Sequence, residues 1–278
     1  MRKKMLFALA VSIGFLLLIN PLTEQGVEAR QDLANGLGDY IESEFDKTHI
    51  PGMSVEIVDA TQVLFAETYG NCETLEQPFI IGSISKSFTA LAIMQLVEQG
   101  QVELSTPISN YLRDIDPDTK TTVKKLLNQT SGIETYNTLE KYQTSDTPAD
   151  FQYANTNYAL LGQIIENVSG FEYSTYIQTH IFDPLNMTHS YTSIEKARTD
   201  NLVPGYRNYF GLMVEQDVDY PTSNNTGWIT VPAGYIISST NDMGRYLQMY
   251  LNQGDNIIGS GSMELMLNDN FLAGEGYY

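Results

Sequence analysis

A serine and a lysine three residues apart could together form an activated nucleophile early in the chain. A short apolar run ends at Gly82, and Ser83 and Lys86 follow it. If Ser83 begins a helix, Lys86 lies about one turn further along the same face, so its amine comes within reach of the serine hydroxyl. A serine beside an amine that can accept its proton is the arrangement of nucleophilic catalysis.

The start of a helix also favours a neutral, basic lysine. Unpaired backbone N–H groups and the positive end of the helix dipole disfavour a further positive charge at that place. A partly buried Lys86 is therefore expected to have a lowered pKa and to act as a base near neutral pH. The simpler interpretation is a serine N-cap followed by a solvated lysine. The spacing alone leaves both interpretations open, because the pattern is short.

Composition and charge exclude several classes of partner and site. The chain has 278 residues, which is enough for one large domain or two interleaved lobes, and 42% of them are hydrophobic. Its formal net charge of −19 argues against nucleic acid or an anionic membrane as a partner. Three scattered histidines and one cysteine give no metal site that can be argued, and we expect no cofactor. The single cysteine, Cys72, excludes an internal disulfide and is expected to be a packing residue.

The first 29 residues have the pattern of an export signal. Basic residues at positions 2–4 precede an apolar run at positions 5–20, and Val27-Glu28-Ala29 is an acceptable cleavage site. The apolar run is short for a stable transmembrane helix, although an uncleaved N-terminal anchor is an alternative. We therefore expect residues 1–29 to be a signal peptide and the protein to be secreted or extracytoplasmic.

Hydrophobic periodicity predicts mostly helices around two strands, at residues 53–58 and 62–69. The predicted helical segments are 30–47, the segment after Ser83, 104–112, 121–127, 155–168, 173–182, 243–251 and 262–267. Residues 190–228 are predicted to be a long irregular surface excursion, and residues 232–237 a short extended segment. Because a lone two-stranded hairpin is marginal in water, the pattern indicates a sheet with further strands.

Four segments in order resemble those of the serine β-lactamase and penicillin-binding protein superfamily, in the branch of class C β-lactamases and D-alanyl-D-alanine carboxypeptidases. Ser83-Ile84-Ser85-Lys86 resembles the S-x-x-K motif, and Tyr153-Ala154-Asn155 resembles the Tyr-x-Asn motif. Residues 126–132 and 233–243 resemble two further segments, and the match runs from about residue 43 to the last residue. The resemblance implies an α/β (α+β) fold, in which an antiparallel sheet is flanked by helices and a helical lobe occupies roughly residues 101–230.

The resemblance also implies a role for each motif residue. Ser83 would be the acylated nucleophile, its backbone N–H would form half of the oxyanion hole, and Lys86 would accept its proton. Tyr153 would be a partner acid/base whose pKa is lowered by the nearby lysine. Asn155 would form a hydrogen bond with the substrate amide. The alternatives are that Tyr153 is one aromatic among 18 tyrosines and that Asn155 is a helix N-cap.

A third family motif, Lys-Thr-Gly or His-x-Gly, does not occur in the 278 residues. None of His49, His180 and His189 is followed two residues later by glycine, and all three are expected at surface or packing positions. By the resemblance, the strand that carries this motif would come after Tyr278. The expectation is therefore a C-terminally truncated member, with a serine hydrolase domain at residues 30–278 that lacks the last strands of its sheet.

Two functions of different classes follow from these motifs. The first is a secreted serine hydrolase that forms an acyl-enzyme on amides or esters, with β-lactams, D-amino-acid peptides or esters as its substrates. The second is a catalytically impaired homologue or a cell-wall peptide-binding module, because the loss of one oxyanion donor costs about 10²–10³ in rate. The motifs do not distinguish carboxypeptidase, β-lactamase, esterase and D-aminopeptidase activities. A monomer is expected.

Overall fold

The computed structural model of the protein describes residues 24–113, 119–133, 151–216 and 227–268. They belong to two compact units that divide between Ile50 and Pro51. The described part of the first unit contains the helix α1 (Glu24–Thr48), which confirms the helix predicted at residues 30–47. Most of the predicted signal peptide lies outside the described residues. Within the described ranges, no helix combines the length and the apolar character needed to cross a membrane.

The second unit contains seven strands and eight α-helices among its described residues. The strands are β1 (Gly52–Val58), β2 (Val63–Gly70), β3 (Pro78–Ile80), β4 (Ser190–Tyr191), β5 (Gly205–Tyr209), β6 (Leu212–Gln216) and β7 (Ile237–Ser239). The helices are α2 (Ser85–Glu98), α3 (Val123–Leu127), α4 (Asn155–Ser169), α5 (Tyr173–Ile177), α6 (Ile194–Thr199), α7 (Gly227–Gly234), α8 (Thr240–Leu251) and α9 (Ser260–Asn268). Single 3-10 turns lie at Gly82–Ile84 and Ile108–Asn110, and a π-helical turn at Gln178–Phe182 extends α5.

The strands form three small antiparallel sheets. Strands β1 and β2 pair in a register that places Gly52 opposite Gly70, and the register shifts between Ile57 and Val58. Strand β7 lies between β3 and β4, and β5 pairs with β6. The two strands predicted from periodicity are confirmed, and so is the expectation of a mixed fold with antiparallel sheets and flanking helices.

Helix α2 lies in the centre of the hydrophobic core. Every residue from Phe88 to Leu96 except Ala90 is buried, as expected for a helix that is covered on all sides. Helices α4, α7 and α9 pack against it. Helices α4 and α7 approach closely, because a Cβ atom at Gly162 would meet Cγ of Pro232 at 2.5 Å.

The prediction that residues 190–228 are irregular is wrong for the part that the structure describes. This range contains β4, α6 and the β5–β6 hairpin, so the range 101–230 includes strands as well as helices. The hairpin turns at Phe210 and Gly211, which both have positive φ, a backbone conformation typical of tight hairpin turns. Its strands are mostly exposed on both faces, so they carry no alternating hydrophobic signal.

Two further segment predictions are wrong. Residues 104–112 form a single 3-10 turn instead of a helix, because Ile108 N donates to Thr121 O at 2.9 Å and Pro107 pairs with Thr122 as a β-bridge. Residues 232–234 belong to α7 instead of an extended segment, although α7 contains Pro232. In both places the local pattern was overridden by contacts with residues distant in the sequence.

Candidate active site

A tight turn after β3 presents Ser83 to solvent. Ile81 N donates to Ile236 O at 3.0 Å, which fixes the chain to the segment before β7. Gly82 has a φ of +57°, a conformation that glycine adopts without steric cost. The following 3-10 turn leads directly into α2, and Ser83 lies exposed at its start. The expectation that Ser83 lies at a helix start is therefore confirmed.

Ser85 ties this turn to the rest of the unit. Its side chain is fully buried and its hydroxyl donates to Gly82 O at 2.6 Å. The same hydroxyl accepts a hydrogen bond from Ile236 N at 2.9 Å. The middle serine of the S-x-x-K segment thus has a structural contact on each side and does not face the exposed hydroxyl of Ser83.

Lys86 is buried and pairs with three oxygen atoms, so the alternative of a solvated lysine is wrong. Only 8% of the residue is exposed. Its Nζ donates to Ser83 Oγ at 3.3 Å, to Asn155 Oδ1 at 2.8 Å and to Ala233 O at 2.5 Å. The Ser83 side chain makes no N-cap hydrogen bond, because Ile81 occupies the N-cap position of the turn.

The oxygen of Ala233 belongs to the C-terminal end of α7. The last carbonyl groups of a helix have no partner within it, and the negative end of the helix dipole lies there, so the position suits an ammonium group. Thr89, one turn after Lys86 on α2, donates in the same way to Pro232 O at 2.8 Å. Two side chains of α2 therefore attach to the end of α7.

The Tyr-x-Asn segment enters the site from the start of α4. Tyr153 Oη lies 2.6 Å from Ser83 Oγ, and either atom can be the donor. Asn155 is the first residue of α4, and its Oδ1 accepts from Lys86. The alternative of Asn155 as an N-cap is wrong, because Ala154 holds that position and no side-chain cap is present. The structure thus brings all four predicted site residues together.

The pKa values of the two basic candidates are both shifted downward. Burial lowers the pKa of the Lys86 amine, and the contact with Tyr153 opposes this shift only in part. Burial by itself would raise the pKa of Tyr153, but the hydrogen bonds with Lys86 and Ser83 and the lysine charge outweigh it, so the pKa of Tyr153 is lowered. Nζ of Lys86 also lies 4.7 Å from the ring centroid of Tyr153. The Ser83 hydroxyl therefore lies between two groups that release a proton more easily than usual.

The arrangement can deprotonate a hydroxyl and return the proton. The exposed Ser83 Oγ can reach a ligand, and both Lys86 and Tyr153 can accept its proton in their neutral or anionic forms. Among the residues that the structure describes, no three histidine, cysteine or acidic side chains are placed to hold a metal ion.

Three other side chains singled out in the sequence lie outside this site. His189 Nδ1 is 2.6 Å from Asp200 Oδ2. The ring of His180 stacks on Tyr176 with centroids 4.1 Å apart. Cys72 is buried, and its thiol donates to Thr74 O at 3.5 Å. Each has the packing or surface contact expected of it.

Two contributors to the site were not identified from the sequence. The main-chain oxygen of Ala233 holds the lysine, but a backbone atom gives no residue-type signal. Tyr158 places its ring centroid 5.6 Å from Lys86 Nζ and donates to Leu127 O at 3.0 Å. Tyr158 is buried in α4, and its spacing in the sequence is that of an ordinary core residue of a helix, so nothing marked it as part of the site.

Sequence comparisons support the interpretation of these motifs. The family model described as Beta-lactamase matches residues 30–271 of this chain. Protein flp of Staphylococcus aureus is 30% identical to this chain over 246 residues, an alignment that covers 77% of this chain and 48% of that protein. The chain therefore spans about half the length of the curated relatives it matches.

Solved structures show the same fold. The octameric penicillin-binding protein homologue from Pyrococcus abyssi is 31% identical, with a TM-score of 0.72 over 83% of this chain and 59% of that one. FmtA from Staphylococcus aureus, at 21% identity, shares the fold with a TM-score of 0.70 over 82% of this chain and 68% of that one. Because the family model covers most of the sequence and the fold agrees, the chain belongs to the Beta-lactamase family, that of the serine β-lactamases and penicillin-binding proteins.

Proposed function

We propose that the protein is a serine hydrolase that forms an acyl-enzyme on Ser83. The supporting observation is that Ser83 Oγ lies within hydrogen-bond distance of two proton acceptors, 2.6 Å from Tyr153 Oη and 3.3 Å from Lys86 Nζ. The proposed substrates are amides or esters such as β-lactams or D-amino-acid cell-wall peptides. Membership of the class C and carboxypeptidase branch stays a prediction.

In the proposed reaction, Ser83 Oγ attacks the carbonyl carbon of the substrate while Lys86 or Tyr153 takes its proton. The bond between the carbonyl carbon and the leaving amine or alcohol then breaks, and the proton passes to that leaving group. In the second half of the reaction, water attacks the carbonyl carbon of the resulting ester while Lys86 or Tyr153 takes a proton from it. The bond between that carbon and Ser83 Oγ then breaks, the proton passes to Ser83 Oγ, and the carboxylic acid product leaves. Because Asn155 Oδ1 is occupied by Lys86, its amide nitrogen is the group that would donate to the substrate amide.

The alternative is a catalytically impaired homologue or a cell-wall peptide-binding module. In that case a ligand would bind or acylate Ser83 without turnover. Binding, acylation and turnover can be measured separately, so the two functions are distinguishable.

A labelling experiment tests the nucleophile. The wild type is incubated with a fluorescent penicillin or a fluorophosphonate probe beside Ser83→Ala and a matched control, Ser105→Ala, whose serine is exposed in a turn. The wild type and the control should be labelled and Ser83→Ala should not. Equal labelling of Ser83→Ala would refute the proposal. Labelling without hydrolysis of nitrocefin or para-nitrophenyl esters would favour the impaired homologue.

We also propose that the protein is exported by residues 1–29 and is a monomer. N-terminal sequencing of the secreted protein should begin at Arg30, whereas an uncleaved anchor would leave the protein in the membrane fraction. A relative from Pyrococcus abyssi is octameric, so light scattering of the purified protein is the relevant measurement. A mass of several chains would contradict the monomer.

A further inference from the structure

One residue, Gln129, binds the peptide groups on both sides of Tyr153. The main-chain oxygen of Gln129 accepts a hydrogen bond from Gln152 N at 2.8 Å. Its side-chain Oε1 accepts a second hydrogen bond from Ala154 N at 3.0 Å. The two donors are the residues immediately before and after Tyr153, so both main-chain neighbours of the tyrosine are fixed by the same residue.

The backbone of Gln129 has an unusual conformation. Its φ is +58°, in the left-handed region that favours glycine, and the residue is only 5% exposed. Such a conformation costs a non-glycine residue about 1–3 kcal/mol and persists where the surroundings determine it strongly. Here Gln129 N donates to Leu126 O at 3.2 Å, which anchors the residue to the end of α3.

The side chain of Gln129 is held from a second direction. Its Oε1 also accepts from Asn157 Nδ2 at 2.6 Å, and Asn157 is fully buried in the first turn of α4. Ser131 Oγ donates in turn to Asn157 Oδ1 at 2.6 Å. The oxygen that accepts from Ala154 N therefore also accepts from a side chain of α4, which connects Gln129 to the helix that follows Tyr153.

We propose that Gln129 is a positioning residue, which holds the phenol of Tyr153 against Ser83 by fixing the peptide groups on both sides of it. This inference rests on the proposed function in so far as it treats Tyr153 as the partner acid/base of Ser83. The hydrogen bond between Tyr153 Oη and Ser83 Oγ is 2.6 Å long. A displacement of about 1 Å would break the alignment, and such displacements can cost about 10²-fold in rate.

The environment of Tyr153 gives a readout that does not depend on activity. Among the described residues, the charged or titratable groups that act on it are Lys86, on α2, and Tyr158, on α4. Gln129 has no charge, so its replacement changes the position of Tyr153 and not the charges around it. If the phenol moves away from Lys86 and Ser83, the pKa of Tyr153 rises towards its ordinary value.

The test replaces Gln129 by methionine, which has a similar length but no accepting oxygen. The matched control is Gln95→Met, because Gln95 is a buried glutamine of α2 whose side chain contacts His180 O and Ile257 O instead. The tyrosinate absorbance of each protein is titrated with and without the additional substitution Tyr153→Phe. The difference between the two titrations gives the ionisation of Tyr153. Gln129→Met should raise the pKa of Tyr153, and Gln95→Met should leave it unchanged.

A double-mutant cycle measures the same dependence in the reaction. Gln129→Met should slow labelling by a fluorescent penicillin about tenfold or more, and should have no further effect once Tyr153→Phe is present. Gln129→Gly serves as a second variant if Gln129→Met does not fold, because it removes Oε1 while relieving the positive φ. The same rise in the pKa of Tyr153 is expected from it.

Two results would overturn the proposal: an unchanged pKa of Tyr153 in a folded Gln129 variant, or a full additional loss of rate in the Tyr153→Phe background. Failure of the proposed function has a different signature, since Ser83→Ala would then be labelled like the wild type. The absorbance titration still tests in that case whether Gln129 positions Tyr153, because it needs no substrate.

Discussion

Lys86 Nζ donates a hydrogen bond to the main-chain oxygen of Ala233 at 2.5 Å, although 147 positions separate the two residues. The contact joins the S-x-x-K segment on α2 to the end of α7. A backbone carbonyl is not protonated near neutral pH. It therefore orients the Lys86 amine without competing for the proton of Ser83. The geometry of the proposed base thus depends on the packing of α7 as well as on its own helix.

Replacing Lys86 by methionine should slow acylation of Ser83 by about 10²–10⁴-fold, the usual contribution of a general base. Methionine preserves most of the buried volume but cannot accept a proton. The control is Lys196→Met, since Lys196 is exposed on α6. The rate of labelling by a fluorescent penicillin is the measurement. Equal rates for the two variants would exclude Lys86 as the base.

Acylation should become faster as the pH rises. A general base acts in its deprotonated form, and the pKa values of both Lys86 and Tyr153 are lowered. The midpoint of the rise should therefore lie below about pH 10, the ordinary range of lysine and tyrosine. The labelling rate is followed across this range, with Ser83→Ala as the blank for spontaneous hydrolysis of the probe. A midpoint at or above the ordinary value would contradict the lowered pKa values.

The two serines of the S-x-x-K segment should respond differently to alanine. Ser83→Ala removes an exposed hydroxyl and should abolish labelling while leaving the free energy of unfolding nearly unchanged. Ser85→Ala removes the buried partner of Gly82 O and Ile236 N, which should cost about 1–3 kcal/mol. Urea denaturation measures the difference. A Ser85→Ala variant as stable as the wild type would show that this contact does not fix the turn.

Alanine at Gly162 should destabilise the protein by about 1–3 kcal/mol, because its Cβ would meet Cγ of Pro232 at 2.5 Å. The proline ring is stiff, so α7 has to move, and Ala233 O moves with it. Labelling should therefore also slow. Gly261→Ala is the matched control, since nothing lies within 4 Å of that Cβ in α9 and alanine favours a helix. Equal stabilities would contradict the close packing of α4 and α7.

Elements with strong local signals were predicted correctly. The helix predicted at 155–168 ends at Ser169 in the structure, one residue before Gly170, whose φ of +76° fits a helix C-terminus. The predicted helix at 243–251 is confirmed as part of α8, which Ser239 caps by accepting a hydrogen bond from Asp242 N. The proximity of Tyr153 to Ser83 followed from the resemblance, since no local pattern joins residues 70 positions apart.

Elements that depend on distant contacts were not predictable. The sequence predicts an extended segment at 232–237, yet residues 232–234 belong to α7, which forms where Pro232 packs against Gly162. The β5–β6 hairpin has a turn signal at Gly211, but its exposed strands lack the alternation that would have revealed them. Gln129 is one polar residue in a predicted turn, and nothing in the local pattern distinguishes it. Its proposed role depends on hydrogen bonds from two main-chain N–H groups 23 and 25 positions later, those of Gln152 and Ala154.

Peptide mapping of the acylated protein tests the central claim most directly. The protein is incubated with a penicillin, quenched in acid to preserve the ester and digested, and the peptides are analysed by mass spectrometry. The added mass of the intact penicillin should lie on Ser83 and should be absent from Ser83→Ala. An adduct on any other residue, or the same adduct in Ser83→Ala, would contradict the assignment of Ser83 as the nucleophile.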